Sequence, residues 1–328
     1  MWTAITLAAA LVAGLSAYAL WAVHAVAQGA PAWPFIAGLP LAYLAVPFVF
    51  GSFWFALSWW FHARRPTDVR LGLRARLSLF GHEVIALARS PLRMIFYRFL
   101  ISEPRVAPAQ LPVLLLHGVG CNAGVWHGFL RYLDSRGIGP AYTLSYGPPL
   151  ASIEHFAAQI AGRIAEIESA TGASQVVLVG HSMGGLVARA YLRQYGGARV
   201  RRLITIGTPH YGSMHAWLMT GICLSQMRPG SEWLAGFKET AEQADGVPVV
   251  SVWSWHDSMV TPQTSSRIKW GRNVVVSGVA HNALLDDRNV WTLVAAEIVS
   301  AAATPAHPAT DADSAAAGAP ARRESSQA

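Results

Sequence analysis

Along the chain the apolar positions fall into three kinds of run. From Trp2 to Ala27 there is no Asp, Glu, Lys or Arg, and from Phe35 to Phe61 there is again none. Each stretch exceeds the roughly 20 apolar residues that cross a bilayer core. The uncharged Gln28-Gly29-Ala30-Pro31-Ala32-Trp33-Pro34 connection between them predicts a helical hairpin. Trp54, Trp59 and Trp60, near the end of the second stretch, suit an aromatic belt at a membrane interface. Helices of this length in a water-soluble core carry charges on one face, and these carry none. The second kind of run covers residues 78 to 101, where Leu79, Phe80, Val84, Ile85 and Leu87 are mixed with Arg89, Arg93 and Arg98. This predicts an amphipathic helix interrupted near Pro91, lying either on the membrane surface or on the domain that follows.

The third kind begins at Pro112-Val113-Leu114-Leu115-Leu116-His117-Gly118-Val119-Gly120, a short continuous apolar run that ends in a glycine loop. Strand and helix patterns then alternate: helix 124 to 135, strand 141 to 145, helix 151 to 169, strand 175 to 180, helix 184 to 195, strand 200 to 206, strands at 247 to 253 and 273 to 277, and a helix from 289 to 302. Continuous apolar strands separated by helices indicate an α/β fold whose parallel sheet is covered on both faces. Residues 303 to 328 hold almost no large apolar group and read as a disordered tail. The chain thus divides into a transmembrane hairpin over 1–61, a basic juxtamembrane segment over 62–105, an α/β domain over 106–302 and a tail over 303–328.

Composition sharpens this division. Of 328 residues, 53% are hydrophobic and 13% charged, richer in apolar groups than a soluble globular protein. The net charge of +7 is concentrated. Residues 62 to 105 hold nine Arg against three acids, whereas residues 106 to 300 hold 14 Lys and Arg against 12 acids. The near-neutral α/β part argues against a nucleic-acid partner. Arg64, Arg65, Arg70, Arg74 and Arg76 follow the second apolar stretch directly, and the positive-inside rule puts such a cluster, and the domain after it, in the cytoplasm. Ala25-Val26-Ala27 resembles a signal-peptide cleavage site, but no basic n-region precedes it, and cleavage there would leave the later domain on the same side. The two cysteines, Cys121 and Cys223, have no metal-ligand spacing and suggest no disulfide framework.

The chemistry centres on Gly180-His181-Ser182-Met183-Gly184. Four apolar residues lead into it and a helical pattern follows, so Ser182 sits on a tight strand-to-helix turn whose neighbours two before and two after must be small. A serine hydroxyl becomes a useful nucleophile when a histidine takes its proton and a carboxylate orients that histidine. Asp257 and His281 each fall just past the end of a later strand, where parallel-sheet enzymes carry such groups. Asp286, Asp287 and Asp245 are alternative acids, the first two better suited to capping the last helix. His117, His181 and His210 are read as structural hydrogen-bonding groups.

From about residue 111 to 300 the chain resembles the α/β-hydrolase family, in its bacterial lipase and esterase branch. The likeness is carried by His117-Gly118, the pentapeptide at Ser182, Gly207-Thr208-Pro209-His210-Tyr211-Gly212-Ser213, Asp257 with Val260 and Pro262, and His281; none of it covers residues 1 to 105. It implies a triad of Ser182, Asp257 and His281, an oxyanion hole made by the amides of Val119 and Met183, and no cofactor. The apolar insertion between Tyr211 and Gly246, with Trp217, Leu218, Met219, Ile222, Leu224, Met227, Trp233, Leu234 and Phe237, reads as a cap that binds an acyl chain, or else completes the core. The expected function is an inner-membrane-anchored carboxylic ester hydrolase acting on apolar or lipid esters from the bilayer. An acyltransferase with the same triad and an inactive membrane scaffold are the alternatives.

Overall fold

The computed structural model describes residues 2–104, 111–237 and 246–303. The expected tail beyond Ala303 and residues 238–245 of the cap lie outside these. Two long helices open the chain, α1 (Trp2–Ala27) and α2 (Trp33–Trp60). Both are long and apolar enough to cross a membrane, and almost none of their surface is buried in the protein. At the hairpin turn they hold each other through a bond from the Tyr18 hydroxyl to the Phe35 carbonyl (2.7 Å) and an edge-on contact of Trp21 with Phe35.

Helix α3 (Leu73–Ile95) follows, then the short α4 (Tyr97–Leu100). Two expectations need correction here. The helix starts five residues earlier than its apolar pattern indicated, and it does not break at Pro91. A proline inside a helix costs roughly 3 kcal/mol, so packing must offset it. Met94 is buried, its carbonyl accepts a bond from Asn122 Nδ2 (2.9 Å), and Arg93 reaches Asp286 at 2.6 Å. The choice left open by the sequence is resolved: α3 docks on the α/β domain, and its other side packs along α2, where Phe80 meets Phe48 and Phe55.

The domain is built on six parallel strands in the order β2-β1-β3-β4-β5-β6. They are β1 (Val113–Leu116), β2 (Ala141–Leu144), β3 (Val176–His181), β4 (Val200–Ile206), β5 (Val249–Ser254) and β6 (Arg272–Val276). Helices α5 (His127–Asp134), α6 (Ile153–Thr171), α7 (Met183–Tyr195) and α10 (Arg288–Ala303) cover both faces. Alternate residues of the central strands feed two cores: Leu114, Leu116, Val176 and Leu178 meet α6 and α7, while Val113, Leu115, Val177 and Val179 meet α5 and α10. Because every strand runs the same way, the loops after β1, β3, β5 and β6 emerge at one edge.

The insertion after β4 carries two short helices, α8 (Ile222–Gln226) and α9 (Glu232–Ala235). Its apolar residues divide. Leu224, Met227, Leu234 and Phe237 belong to the core, whereas Trp217, Leu218 and Ile222 are more than half exposed. Arg189 and Arg193 of α7 stack on Phe237 (4.4 and 4.5 Å to the ring centre) and fasten that end to the body.

Candidate active site

Ser182 stands between β3 and α7 with φ 55° and ψ −126°, a conformation that costs a non-glycine residue energy and has to be held by its surroundings. The glycines on either side explain how. A Cβ at Gly180 would lie 2.5 Å from the Gly185 nitrogen, and one at Gly184 would lie 2.3 Å from the Leu116 carbonyl oxygen, so α7 can close onto the sheet only with glycine at both. Ser182 N donates to the Ile206 carbonyl (2.9 Å), and Thr208 Oγ1 donates to the Ser182 carbonyl (2.9 Å), clamping the turn. Its hydroxyl faces Gly118, where an added Cβ would lie 3.5 Å from Oγ.

Asp257 and His281 meet. His281 Nδ1 lies 2.8 Å from Asp257 Oδ2, and both side chains are almost wholly buried. The other carboxylate oxygen of Asp257 accepts from the backbone N–H groups of Met259 (2.8 Å) and Val260 (2.7 Å). Burial alone would lower the His281 pKa, but the charge and hydrogen bond of Asp257, together with Glu83, outweigh it and hold it above the ordinary value. His181, next to the serine, packs its ring 4.7 Å from that of His281 and bonds through Nε2 to the His281 carbonyl (3.2 Å). His281 is thus tied to the nucleophile strand.

Val119 and Met183 line one small cavity with His117, Gly118 and Gly120. Met183 begins α7, so its N–H has no acceptor within the helix. Both expected donor residues therefore border the same cavity. Thr3 of α1, Leu150 and Cys223 of α8 line the same cavity from outside.

The remaining histidines have structural surroundings. His117 Nδ1 bonds the Gly118 carbonyl (2.8 Å), and burial lowers its pKa to about 4. His210 Nε2 meets Thr205 Oγ1 (3.0 Å) and its carbonyl accepts from Arg189 (3.2 Å). Asp286 pairs with Arg93, and Asp287 caps α10 by accepting from Asn289 N and Val290 N. Neither of these acids is the partner of His281. Burial raises the Cys121 and Cys223 thiols to about 12 and 11, as inert structural groups. Among the described residues no group of His, Cys, Asp and Glu is placed to hold a metal ion.

The sequence reading missed the contribution of the N-terminal region. The loops after β1, β5 and β6 are each held by it. Thr3 Oγ1 of α1 reaches the Cys121 carbonyl (3.5 Å) after β1. Ser58 Oγ of α2 donates to the Asp257 carbonyl (3.1 Å). Glu83 of α3, 1% exposed, accepts from Ser258 Oγ (2.8 Å), Asn282 N (3.1 Å), Asn282 Nδ2 (2.8 Å) and Ala283 N (2.9 Å). No local signal marks these residues, because each partner lies more than 100 positions away.

A strained serine at the strand-to-helix turn of a parallel α/β sheet, with an acid–histidine pair at the same edge, defines an α/β-hydrolase fold. The chain has an α/β-hydrolase fold, and residues 112–237 match the family model described as "alpha/beta hydrolase fold". It is 29% identical over 157 residues to a triacylglycerol lipase of Burkholderia plantarii, a match covering 43% of this chain and 39% of that one. It is 35% identical over 130 residues to a pimeloyl-[acyl-carrier protein] methyl ester esterase of Yersinia enterocolitica, covering 39% and 45%. The matches thus span less than half the length of these relatives. Among solved structures, the mature lipase BlEst2 of Bacillus licheniformis superposes with a TM-score of 0.52 at 17% identity, over 60% of this chain and 96% of that one, a likeness of fold.

Proposed function

We propose that this protein is a membrane-anchored serine carboxylic ester hydrolase. The observation that carries the reading is the buried Asp257–His281 pair at 2.8 Å beside a serine held at φ 55°. In this reading His281 takes the proton of Ser182 as the oxygen attacks the ester carbonyl. The N–H groups of Val119 and Met183 receive the negative charge of the tetrahedral intermediate, and the protonated His281 then gives its proton to the leaving alcohol. An acyl-enzyme on Ser182 remains, and water activated by His281 releases the acid. Asp257 holds the tautomer with Nε2 free to accept and stabilises the imidazolium. Ser182→Ala should fold normally and lose turnover by roughly a millionfold. Hydrolysis of a p-nitrophenyl ester at the wild-type rate in that variant would sink the assignment.

The substrate class follows from where the site opens. Thr3 at the domain end of α1 borders the cavity beside the oxyanion loop, and exposed Leu150, Trp217, Leu218 and Ile222 cluster near Cys223 in the covering segment. An apolar or lipid ester entering from the bilayer would meet these exposed apolar side chains. An acyltransferase reading draws on one further relative, a 1-acylglycerol-3-phosphate O-acyltransferase of Sus scrofa, 32% identical over 105 residues. Product analysis with competing alcohols separates the two.

Both ends of the hairpin, Thr3 and Ser58, contact the catalytic domain, which supports a single topology in which chain start and domain share one side of the membrane. With five arginines within 16 residues of Phe61 and none in the turn, that side is the cytoplasm in this reading. A reporter fused after Ser300 should leave alkaline phosphatase inactive and green fluorescent protein bright. Active phosphatase there would move the domain across the bilayer.

A further inference from the structure

The segment just past α2 gathers positive charge that no acid neutralises. Arg64, Arg65, Arg70 and Arg76 line one cavity of about 530 Å³ with Trp59 and His256. Among the described residues none of these arginines forms an ion pair with a carboxylate. Asp68, the one acid between His62 and Phe80, is exposed and lies outside the lining. Arg65 Nε is buried with no hydrogen-bond partner. The cavity's charges act on one another: burial and then Arg76 lower the pKa of Arg65, and burial and then Arg65 lower that of His256 to about 4. Phe55, Leu79 and Phe80 supply an apolar wall beside the charged one.

Several unpaired guanidinium groups around one space match a phosphate, whose oxygens accept forked hydrogen bonds. An apolar wall at the arginine end of a membrane-spanning helix matches an amphiphile. We propose that this cavity binds the anionic phosphate headgroup of a bilayer lipid. The proposal rests on the membrane reading of α1 and α2. The cavity also touches the catalytic machinery, since Ser58 and His256 line it and flank Asp257, so an occupied site would brace the acid loop.

Full-length protein in neutral detergent would be titrated with phosphatidylglycerol, phosphatidylcholine and inorganic phosphate, following bound lipid by native mass spectrometry. Phosphatidylglycerol should bind at least about tenfold more tightly than phosphatidylcholine, and the Arg70→Gln/Arg76→Gln variant should lose that preference. Hydrolysis of a water-soluble ester by the variant should remain, showing that it is folded. Equal binding of both lipids overturns the proposal, as does saturable inorganic phosphate that phosphatidylglycerol cannot displace. Failure of the membrane reading would appear differently, as wild-type protein recovered in the soluble fraction without detergent.

A different observation carries a second inference. All four bonds to Glu83 come from N–H or O–H donors, so its carboxyl group is the acceptor at the centre of the cluster. Ser258 Oγ gives its only proton to Glu83 and accepts from His281 N (3.4 Å), which links the carboxylate to the backbone of the histidine. We infer that Glu83 is a positioning residue for His281, supplied to the active site by the helix that follows the hairpin. Four ionisable groups face His281: Asp257 from the β5 loop, Glu83 from α3, His181 from β3 and His215 from the insertion. Of these only the two carboxylates raise its pKa.

Glu83→Gln removes a charge while keeping size. It should lower kcat by about tenfold or more with little change in KM. Because a negative charge is lost, the acidic limb of the kcat/KM profile should move to lower pH, and Glu83→Asp should restore its position. Ser258→Ala, which removes the bridge between Glu83 and His281 N but keeps the carboxylate, should reduce kcat several-fold without moving the limb. Full activity in Glu83→Gln, or a loss of activity with an unmoved acidic limb, would reduce Glu83 to a packing role and overturn the inference.

Discussion

The N-terminal region and the α/β body bury different things. In the body, the residues of β1, β3 and β5 are at most 5% exposed and the cohesion is apolar. In the hairpin, α1 buries no residue, and α2 buries only Pro47, Gly51, Trp54 and Ser58. Its apolar surface is left outward, which fits the proposed membrane anchor. Yet this region makes polar contacts to the body at the loop after β1 and at the loops that carry the acid and the histidine. A tether needs only length. This segment instead donates and accepts hydrogen bonds at the Cys121, Asp257 and Asn282 positions, so it acts as a frame for the site.

The largest expected effect tests the body side of that contrast. Asp257→Asn leaves shape intact but presents the wrong group to His281 Nδ1, and turnover should fall by about 10,000-fold. Asp287→Asn, which touches only the cap of α10, should leave turnover within a factor of two or so and cost about 1 kcal/mol of stability at most. If Asp287→Asn were the damaging change in a kinetic comparison, the acid would be misassigned.

An intermediate effect tests the joint between the regions. Arg93 of α3 and Asp286 are each less than a fifth exposed and 2.6 Å apart. Arg93→Ala should lower the stability of the docked helix by about 1–2 kcal/mol, because it leaves Asp286 without its cation. A protease digest in detergent would show faster cleavage between residues 62 and 104. Unchanged cleavage would mean that α3 holds to the body without this pair.

How much of this the sequence discloses depends on which region is read. Buried parallel strands write themselves as continuous apolar runs, so β1 (Val113–Leu116), β3 (Val176–His181) and β4 (Val200–Ile206) lie within a residue or so of the runs that open at Pro112 and cover 175–180 and 200–206. The turn at Ser182 is legible because two glycines and a strand–helix context are all local. The extent of α3 was not, because Pro91 is a helix breaker locally and its cost is offset by Met94 and Arg93, whose partners lie in the body. Glu83 was less legible still. A single glutamate among arginines on an amphipathic helix reads as a solvated charge, and its donors lie 175 to 200 residues further on.

The smallest predicted effect is the most direct test of whether the hairpin frames the site or merely touches it. Ser58 Oγ donates to the Asp257 carbonyl and accepts from Gln263 Nε2 (3.0 Å), while Gln263 Nε2 itself lies 3.1 Å from the same carbonyl. Gln263 Oε1 also accepts from Ala63 N (3.0 Å), so the end of α2 is tied to this loop twice. Ser58→Ala therefore removes one of two bonds to the acid's backbone and one acceptor of the Gln263 amide, whose other N–H keeps the Asp257 carbonyl. The loss should be about 0.5–1.5 kcal/mol, the usual net value of one hydrogen bond. That corresponds to roughly a two- to tenfold fall in kcat if the whole loss appears at the acid loop. Gln263→Leu, which removes the bonds of Gln263 to Ala63, Ser58 and the Asp257 carbonyl and leaves Ser58 Oγ on that carbonyl, should exceed it. If Ser58→Ala and Gln263→Leu both left kcat unchanged on a water-soluble ester, the α2 contact would be packing alone, and the framing role would rest on Glu83.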